Sequence, residues 1–275
     1  MSGIVFERDD AVLRGYDRGE GAPLLFQHGL GGSEMQVAEN VPDLAGTRRL
    51  TLDCRAQGSS TAGTTRPFSI GLFAADALAF CDARGVESFA VGGISMGAAI
   101  ALHLAVRHPN RVRALILARP AWLFDPGPEN MRPYAAVAHA LRHAPPAEAK
   151  AAFIRSDTAA MLAKEAPDNL ASLLGFFDRP DPEPTADLLG AIAADGPGVS
   201  RAEARALKLP TLVIGHGVDH AHPLATAKIL AETIPNARLV EIPPKATDKA
   251  AHIVAFRAAV TRFLHDLAMP TEFRS

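Results

Sequence analysis

Short apolar runs alternate with longer segments of helical periodicity along most of the chain. The runs are rich in Val, Ile, Leu and Phe without strict apolar–polar alternation, which is typical of strands buried on both faces of a sheet. Helix-length segments separate several of them, and this order predicts a mostly parallel sheet with right-handed crossover connections. The predicted strands are GIVFE, PLLFQH (23–28), RRLTLDC (48–54), SFAVGG (88–93), VRALILAR (112–119), TLVIGH (211–216) and ARLVEI (237–242).

One long segment, from residue 122 to residue 205, breaks this alternation. It contains no strand candidate and holds ten of the chain's 21 prolines. Proline is tolerated in the first turn of a helix and ends a helix elsewhere, so we expect several short helices there. The chain is therefore predicted to have an α/β core formed by residues 1–121 and 206–275, with residues 122–205 inserted as a helical cap.

Composition narrows the classes of partner. The chain has 275 residues, of which 48% are hydrophobic, and a formal net charge of −2. Nucleic-acid binding normally needs a basic surface, so we expect no nucleic-acid partner. The N-terminus lacks a basic stretch followed by an apolar one, and glycines, a serine and a histidine interrupt the apolar run at 88–106. These features predict a cytoplasmic protein without a membrane partner, acting on a small molecule as a monomer or a homodimer.

The same apolar run contains Gly93-Ile94-Ser95-Met96-Gly97, a G-x-S-x-G pattern. A predicted buried strand enters the pattern and an Ala-rich helix leaves it. In that context the pattern is typical of a nucleophile at a sharp strand-to-helix turn, where the serine Oγ projects above the sheet. Glycines are needed on both sides because the strand and the helix approach too closely for a Cβ. Ser95 is therefore the candidate nucleophile.

Together with four further segments, this pattern resembles the α/β-hydrolase family over nearly the whole chain. The segments are QHGLGGS (27–33), similar to the family's oxyanion loop, DCRAQGSS (53–60), similar to the turn after its fourth strand, VIGHGVDHAHP (213–223), similar to its acid-bearing loop, and a final helix that carries His252. The resemblance implies an eight-stranded sheet flanked by helices, a helical cap after the sixth strand, and a triad in the chain order Ser, acid, His.

The resemblance also supplies candidates for the base and the acid that a serine needs before it can act as a nucleophile. Asp219 follows a predicted strand and is the expected acid, with Asp125 as the alternative. His252, in the first turn of the final helix, is the expected base, although the family's Gly-His pair before that helix is absent. The competing interpretation of His252 is a core histidine on an apolar face shared with Phe256.

By the same resemblance, the backbone N–H groups of Leu30 and Met96 form the oxyanion hole. Gly29 and Gly31 would give the first of these loops its conformation. His28 is expected to support that loop rather than to act as a base.

The helical cap is expected to roof the site and to provide an apolar substrate pocket, with Trp122, Phe124 and Tyr134 as candidate lining residues. Arg119 ends a predicted buried strand at the same edge of the sheet, where a guanidinium needs a partner. That partner is either a protein carboxylate such as Asp125 or a substrate carboxylate bound bidentately. The expected substrate is therefore a mainly apolar ester, with a carboxylate-bearing ester as the sharper hypothesis.

Two groups of histidines invite a metal interpretation, one in the acid loop and one at helical spacing. They are His216, Asp219, His220 and His222, and the pair His139 and His143. Zinc sites usually need three or four convergent ligands, and the second group lacks the Glu of the H-E-x-x-H pattern. Since the first group is already explained as the acid loop, we expect no metal and no cofactor.

The sequence thus predicts a serine hydrolase that cleaves a carboxylic ester or lactone through an acyl-enzyme on Ser95. The alternative enzyme is a carbon–carbon bond hydrolase acting on a diketone-like substrate, because similar family members use the same triad. The alternative in which the protein is not an enzyme is a ligand-binding protein that keeps the pocket without catalysis.

Overall fold

Eight strands form one sheet in the computed structural model, which describes residues 3–268. They are β1 (Ile4–Arg8), β2 (Ala11–Arg18), β3 (Ala22–Gln27), β4 (Thr47–Asp53), β5 (Phe89–Ile94), β6 (Val112–Ala118), β7 (Thr211–Gly215) and β8 (Ala237–Glu241). Their order across the sheet is β1-β2-β4-β3-β5-β6-β7-β8. The pairs β1–β2 and β2–β4 are antiparallel and all the other neighbours are parallel. This mostly parallel eight-stranded sheet confirms the predicted fold class.

Helices cover both faces of the sheet and fill the connection between β6 and β7. They are α1 (Glu34–Asn40), α2 (Ile70–Ala83), α3 (Met96–Arg107), α4 (Arg132–His143), α5 (Pro146–Ile154), α6 (Asp157–Glu165), α7 (Pro167–Phe176), α8 (Pro182–Ala194), α9 (Arg201–Ala206), α10 (Leu224–Thr233) and α11 (Lys249–Ala268), with a 3₁₀ turn at Glu129–Met131. Within residues 3–268, no helix is both long enough and apolar enough to cross a membrane.

Two apolar cores hold these layers together. On one face, α2, α3 and α10 pack against the sheet through buried side chains such as Phe73 and Ile100. On the other face, α1 and α11 pack through a second cluster that includes Phe26 and Phe256. Fully burying a side chain of this size contributes about 1.5–3 kcal/mol to the free energy of unfolding. The sheet is therefore a rigid platform between two cores.

The connection between β6 and β7 is helical, and the part of the chain described between Ala118 and Thr211 contains no strand. Proline lies in the first turn of α4, α5, α7 and α8, where its missing N–H has no intrahelical acceptor to lose. Among these helices, α4 packs extensively on α8. The limits predicted for the inserted segment, residues 122 and 205, stay a prediction.

The loops that matter for chemistry start at one edge of the sheet. In the parallel register, Gln27 lies beside Gly93, Ile94 beside Ala118, and Ala118 beside Ile214. The loops after β3, β5, β6 and β7 therefore begin next to one another. Open α/β sheets bind their ligands at this carboxyl edge of the strands.

Candidate active site

Ser95 is the single residue that connects the end of β5 to the start of α3. Its backbone has φ 58° and ψ −112°, a conformation that costs a non-glycine residue on the order of 1–3 kcal/mol. A Cβ on Gly93 would collide with the backbone of Gly97, and a Cβ on Gly97 with the backbone of Gln27. The Ser95 N–H donates to Ala118 O at 2.9 Å, which anchors the turn to β6. Strand, glycines and helix together force the strained turn that raises the serine above the sheet.

The hydroxyl of Ser95 meets His222. Ser95 Oγ lies 2.7 Å from His222 Nε2, and His222 Nδ1 lies 2.9 Å from both carboxylate oxygens of Asp219. Ser95 and His222 are each 8% exposed, whereas the carboxylate of Asp219 is 1% exposed. The three side chains form a continuous line of hydrogen bonds from the nucleophile to a buried acid. This is the geometry that lets an imidazole take the proton of a serine.

The predicted contact between His252 and Ser95 is not formed. His252 Nδ1 instead donates to Pro243 O at 2.9 Å, and its ring packs edge-on against that of His216 with centroids 4.9 Å apart. His252 lies in the first turn of α11, and the position beside Ser95 Oγ is occupied by His222. The choice of His252 is therefore corrected to His222, while the competing interpretation of His252 as a buried histidine fits its surroundings.

A signal for His222 was available in the sequence. It follows Asp219 in the chain, so it satisfies the order Ser, acid, His as well as His252 does. Sequence reasoning considers it only as a member of a histidine-rich loop that invites a metal interpretation, and that interpretation is not adopted. Within residues 3–268, no three side chains of the metal-binding types are placed to share an ion.

Arg119 pairs with the candidate acid rather than with Asp125. Its Nη2 and Nε donate to Asp219 Oδ2 at 2.7 and 3.2 Å. Arg119 follows β6 with φ 47°, and its N–H donates to Ile214 O at 2.7 Å. Asp125 lines a separate cavity, so neither its predicted pairing with Arg119 nor its alternative role as the acid fits its position.

These contacts set the protonation states. Burial by itself raises the pKa of Asp219, but His222 and Arg119 outweigh burial and hold that pKa well below its usual range. Burial holds the pKa of His222 below 6.5, with the charge of Asp219 opposing this shift and the charge of Arg119 adding to it. Near neutral pH the acid is therefore charged and the imidazole neutral. Its proton sits on Nδ1 facing Asp219, which leaves Nε2 free to accept from Ser95.

The loop after β3 is held by side chains that accept from its amides. Gly29 N–H donates to Gln36 Oε1 and Gly31 N–H to Gln57 Oε1, both at 2.7 Å. Gly31 has φ 78°, a conformation that favours glycine. By contrast, none of the hydrogen bonds described outside helices and strands uses the amide of Leu30.

His28 lies beneath this loop and is fully buried. Its Nδ1 lies 2.7 Å from Gly29 O and its Nε2 accepts from Cys54 N–H at 3.0 Å. Burial lowers the pKa of His28 despite the opposing hydrogen bond to Gly29, so the ring is neutral with its proton on Nδ1. Both nitrogens are thereby occupied by backbone groups, which matches a supporting role and leaves none for proton transfer.

Ser95 and His222 line a cavity of about 960 Å³. Of the predicted pocket residues, Tyr134 and Arg119 line it. Trp122 is buried elsewhere and donates to Asp195 O, and Phe124 packs against the guanidinium of Arg201 beside a different cavity. Polar and charged residues form much of the wall, contrary to the apolar pocket expected from the sequence. They include Ser59, Ser60, Thr61, Ser172, Arg179 and Lys245.

Arg179 is the most unusual residue of this wall. Its Nη2 donates to Ala56 O, but its Nη1 is buried and has no hydrogen-bond partner within residues 3–268. The ring of Phe176 lies 5.9 Å from the guanidinium carbon. Burial lowers the pKa of Arg179. A desolvated cation with an unused donor is costly unless an anion joins it.

Comparisons with known proteins show what the chain as a whole is similar to. A model of the α/β hydrolase fold matches residues 22–246. The 2-hydroxymuconate semialdehyde hydrolase of Pseudomonas putida is 29% identical over 243 residues, covering 82% of this chain and 80% of that protein. The enzyme of the same name from Pseudomonas sp. strain CF600 is 30% identical over 244 residues, with 82% and 80% covered. The crystal structure of the enol-lactonase from Burkholderia xenovorans LB400 matches with a TM-score of 0.71 and 29% identity, covering 94% of this chain and 98% of that one.

Proposed function

The chain belongs to the α/β-hydrolase fold family and is a hydrolase, and we propose that it cleaves a carboxylic ester or lactone through an acyl-enzyme on Ser95. In this proposal His222 is the general base and Asp219 orients it. The observation that carries the proposal is the unbroken line of hydrogen bonds from Asp219 through His222 to Ser95, which ends at a cavity wall.

The reaction follows from these contacts. As Ser95 Oγ attacks the carbonyl carbon, its proton passes to His222 Nε2, and Asp219 stabilises the imidazolium that forms. The tetrahedral intermediate collapses, and His222 returns the proton to the departing alkoxide. A water molecule then attacks the acyl-enzyme and loses a proton to His222. The bond between the acyl carbon and Ser95 Oγ breaks, and His222 returns the proton to Ser95. The products are a free acid and an alcohol, or one hydroxy acid when the substrate is a lactone.

The oxyanion of the intermediate needs amide donors on the other side of the carbonyl. We assign this role to the N–H groups of Leu30 and Met96, since Met96 is the first residue of α3, where backbone N–H groups lack intrahelical acceptors. The amides of Gly29 and Gly31 already donate to glutamine side chains, so they hold the loop in place. Removing one such donor typically costs about 10²–10³ in rate.

The polar wall supports a substrate that carries a carboxylate. The guanidinium of Arg179 has a free donor, and a carboxylate can accept from an arginine bidentately. A lactone is favoured over a simple ester because a relative of 29% identity is described as an enol-lactonase. The mechanism requires no metal and no cofactor. The formal net charge of −2 argues against a nucleic-acid partner, and the proposal includes a cytoplasmic monomer or homodimer that acts without a membrane partner.

A carbon–carbon bond hydrolase is the second candidate. Two relatives are named 2-hydroxymuconate semialdehyde hydrolase, and a compound of that name contains neither an ester nor a lactone. Its hydrolysis therefore breaks a carbon–carbon bond. The same serine and base would serve, with the carbanion in place of the alkoxide as the leaving group.

Covalent labelling tests the proposed nucleophile. A fluorophosphonate probe is expected to modify Ser95, and p-nitrophenyl acetate to give a burst of nitrophenolate, with both lost in Ser95→Ala. Rates on a lactone, an ester and a vinylogous diketone then separate the two enzyme classes. A wild-type protein that neither reacts with the probe nor turns over any of the three substrates would favour the ligand-binding alternative.

The role of Arg179 is tested with Arg179→Met on a carboxylate-bearing lactone and on its neutral methyl ester. We expect kcat/KM to fall by about 10- to 100-fold on the first substrate only, since a hydrogen bond to a charged group contributes about 1.5–3 kcal/mol. An equal loss on both substrates would remove the carboxylate from the proposal.

A further inference from the structure

We propose that two asparagines of the helical connection, Asn169 and Asn130, are positioning residues that hold the proposed base His222 in line with Ser95. The proposal rests on the proposed catalytic role of His222. Its starting point is the loop at 216–223, which carries both Asp219 and His222 and contains neither helix nor strand. A loop of this kind cannot fix a histidine through a regular hydrogen-bond ladder, so other groups must hold its backbone.

Asn169 accepts from two consecutive amides of this loop. It lies in the first turn of α7 and is 5% exposed. Its Oδ1 accepts from His220 N–H at 2.7 Å and from Ala221 N–H at 2.9 Å. The amides of the two residues that precede His222 are therefore tied to a helix of the connection between β6 and β7.

Asn130 holds the opposite side of the same backbone. It lies in the 3₁₀ turn before α4, and its Nδ2 donates to Ala221 O at 2.6 Å and to Ala121 O at 2.9 Å. Both the N–H and the C=O of Ala221, the residue that precedes the base, are thus bound by side chains from outside the loop. Asn130 also ties this point to the segment that follows β6.

A further contact of the loop backbone comes from the acid itself. His222 N–H donates to Asp219 Oδ1 at 3.1 Å, so the backbone of the base and its ring share one carboxylate. That carboxylate also accepts from Arg119, which follows β6, so the side chain of Asp219 is tied to the sheet. The backbone beside His222 is held separately by the two asparagines, which connect it to α7, to the 3₁₀ turn before α4 and to the segment after β6.

The expected consequence is a loss of turnover rather than of binding. A displacement of about 1 Å in a catalytic group can cost about 10²-fold in rate. Removing the acceptor of Asn169 or the donor of Asn130 should therefore lower kcat by about 10²-fold with a smaller change in KM. A general loss of fold would instead lower the fraction of active protein and the Tm.

Variants of similar size show whether the hydrogen bonds of each asparagine or only its side-chain volume is needed. Asn169→Asp keeps the oxygen that accepts both amides, whereas Asn169→Leu keeps the size and loses it. Asn130→Asp keeps the size but loses the donor. We expect Asn169→Asp to retain kcat within about tenfold of the wild type, and Asn169→Leu and Asn130→Asp each to lose about 10²-fold.

The measurements are kcat and KM for p-nitrophenyl acetate on the alkaline plateau of the pH profile, where the added carboxylate of Asn169→Asp does not change the protonation of His222. Circular dichroism and the Tm accompany each variant. If Asn169→Leu does not fold, the opposite responses of the two Asp variants still decide the matter.

Equal losses in Asn169→Asp and Asn130→Asp, wild-type kcat in Asn169→Leu, or an effect confined to KM would each overturn the proposal. A failure of the proposed function looks different. In that case His222→Ala would retain activity whatever the asparagine variants do.

Discussion

Two loops at the carboxyl edge of the sheet each lead to a buried histidine, and the two rings are held in different ways. The loop after β7 carries His222, with one nitrogen on Ser95 and the other on Asp219. The loop after β8 leads to His252, whose Nδ1 donates to the backbone oxygen of Pro243. A backbone carbonyl orients an imidazole, but only the carboxylate also stabilises the imidazolium that forms during catalysis.

In the proposed triad, one short loop supplies both the acid and the base. The resemblance to the α/β-hydrolase family led us to expect the acid and the base on separate loops. In this chain Asp219 precedes His222 by three positions and accepts from both its backbone amide and its ring. Close spacing therefore takes the place of the expected contact between distant segments, and the ring of His252 bonds to Pro243 O instead of Ser95.

The largest expected effect comes from His222→Ala. Without a base Ser95 keeps its proton, so kcat should fall by about 10⁶-fold, as for the loss of the base in other serine hydrolases. The check is the burst and steady-state rate with p-nitrophenyl acetate, alongside fluorophosphonate labelling of Ser95. Circular dichroism provides the control for folding. Near-normal activity in this variant, together with an inactive His252→Gln, would show that His252 and not His222 is the base.

An intermediate effect is expected from replacing Arg119, whose guanidinium donates to Asp219 in the loop after β7. Its positive charge helps to hold the pKa of His222 below 6.5. The base acts in its neutral form, so activity rises with pH through that pKa. Removing the cation in Arg119→Met should raise the pKa of His222 and move the acid limb of kcat/KM to higher pH.

Arg119→Lys keeps the positive charge and serves as the control, so its acid limb should stay close to that of the wild type. The measurement is the pH dependence of kcat/KM between about pH 4 and 8. A limb that moves to lower pH in Arg119→Met, or equal shifts in both variants, would contradict the electrostatic role.

The sequence was sufficient for the residues whose constraints are local. Ser95 follows from the glycines around it, because their backbones lie too close to neighbouring segments for side chains. Asp219 is predicted by its place after a buried strand together with the chain order that the family resemblance implies. The position of His222 depends on Asn169 and Asn130, whose bonds to the loop span 51 and 91 residues of sequence. Chain order admits His222 as well as His252, but no local pattern carries the information that decides between them.

Two features of the fold were also not predicted from the sequence. Strand β2 is missing from the predicted strands because its apolar residues alternate with polar ones, as in an antiparallel strand with one face buried, whereas continuous apolar runs indicate strands buried on both faces. Trp122 was expected in the pocket, but its indole N–H donates to Asp195 O and turns the ring into the core. Which aromatic residues face a cavity depends on such tertiary partners.

The smallest expected effect belongs to the second loop. His252→Gln offers an amide N–H in place of the Nδ1–H that Pro243 O accepts, so we expect kcat within about threefold of the wild type.

Burial lowers the pKa of His252 despite the opposing hydrogen bond to Pro243. The unfolded chain therefore binds more protons than the folded one below about pH 6.5, and the free energy of unfolding falls as the pH is lowered. His216, whose pKa burial and Arg119 lower to about 4, contributes in the same direction. Urea unfolding at pH 7 and pH 5 should therefore show a smaller loss of stability for His252→Gln than for the wild type. A large fall in kcat at unchanged stability would return His252 to the catalytic machinery.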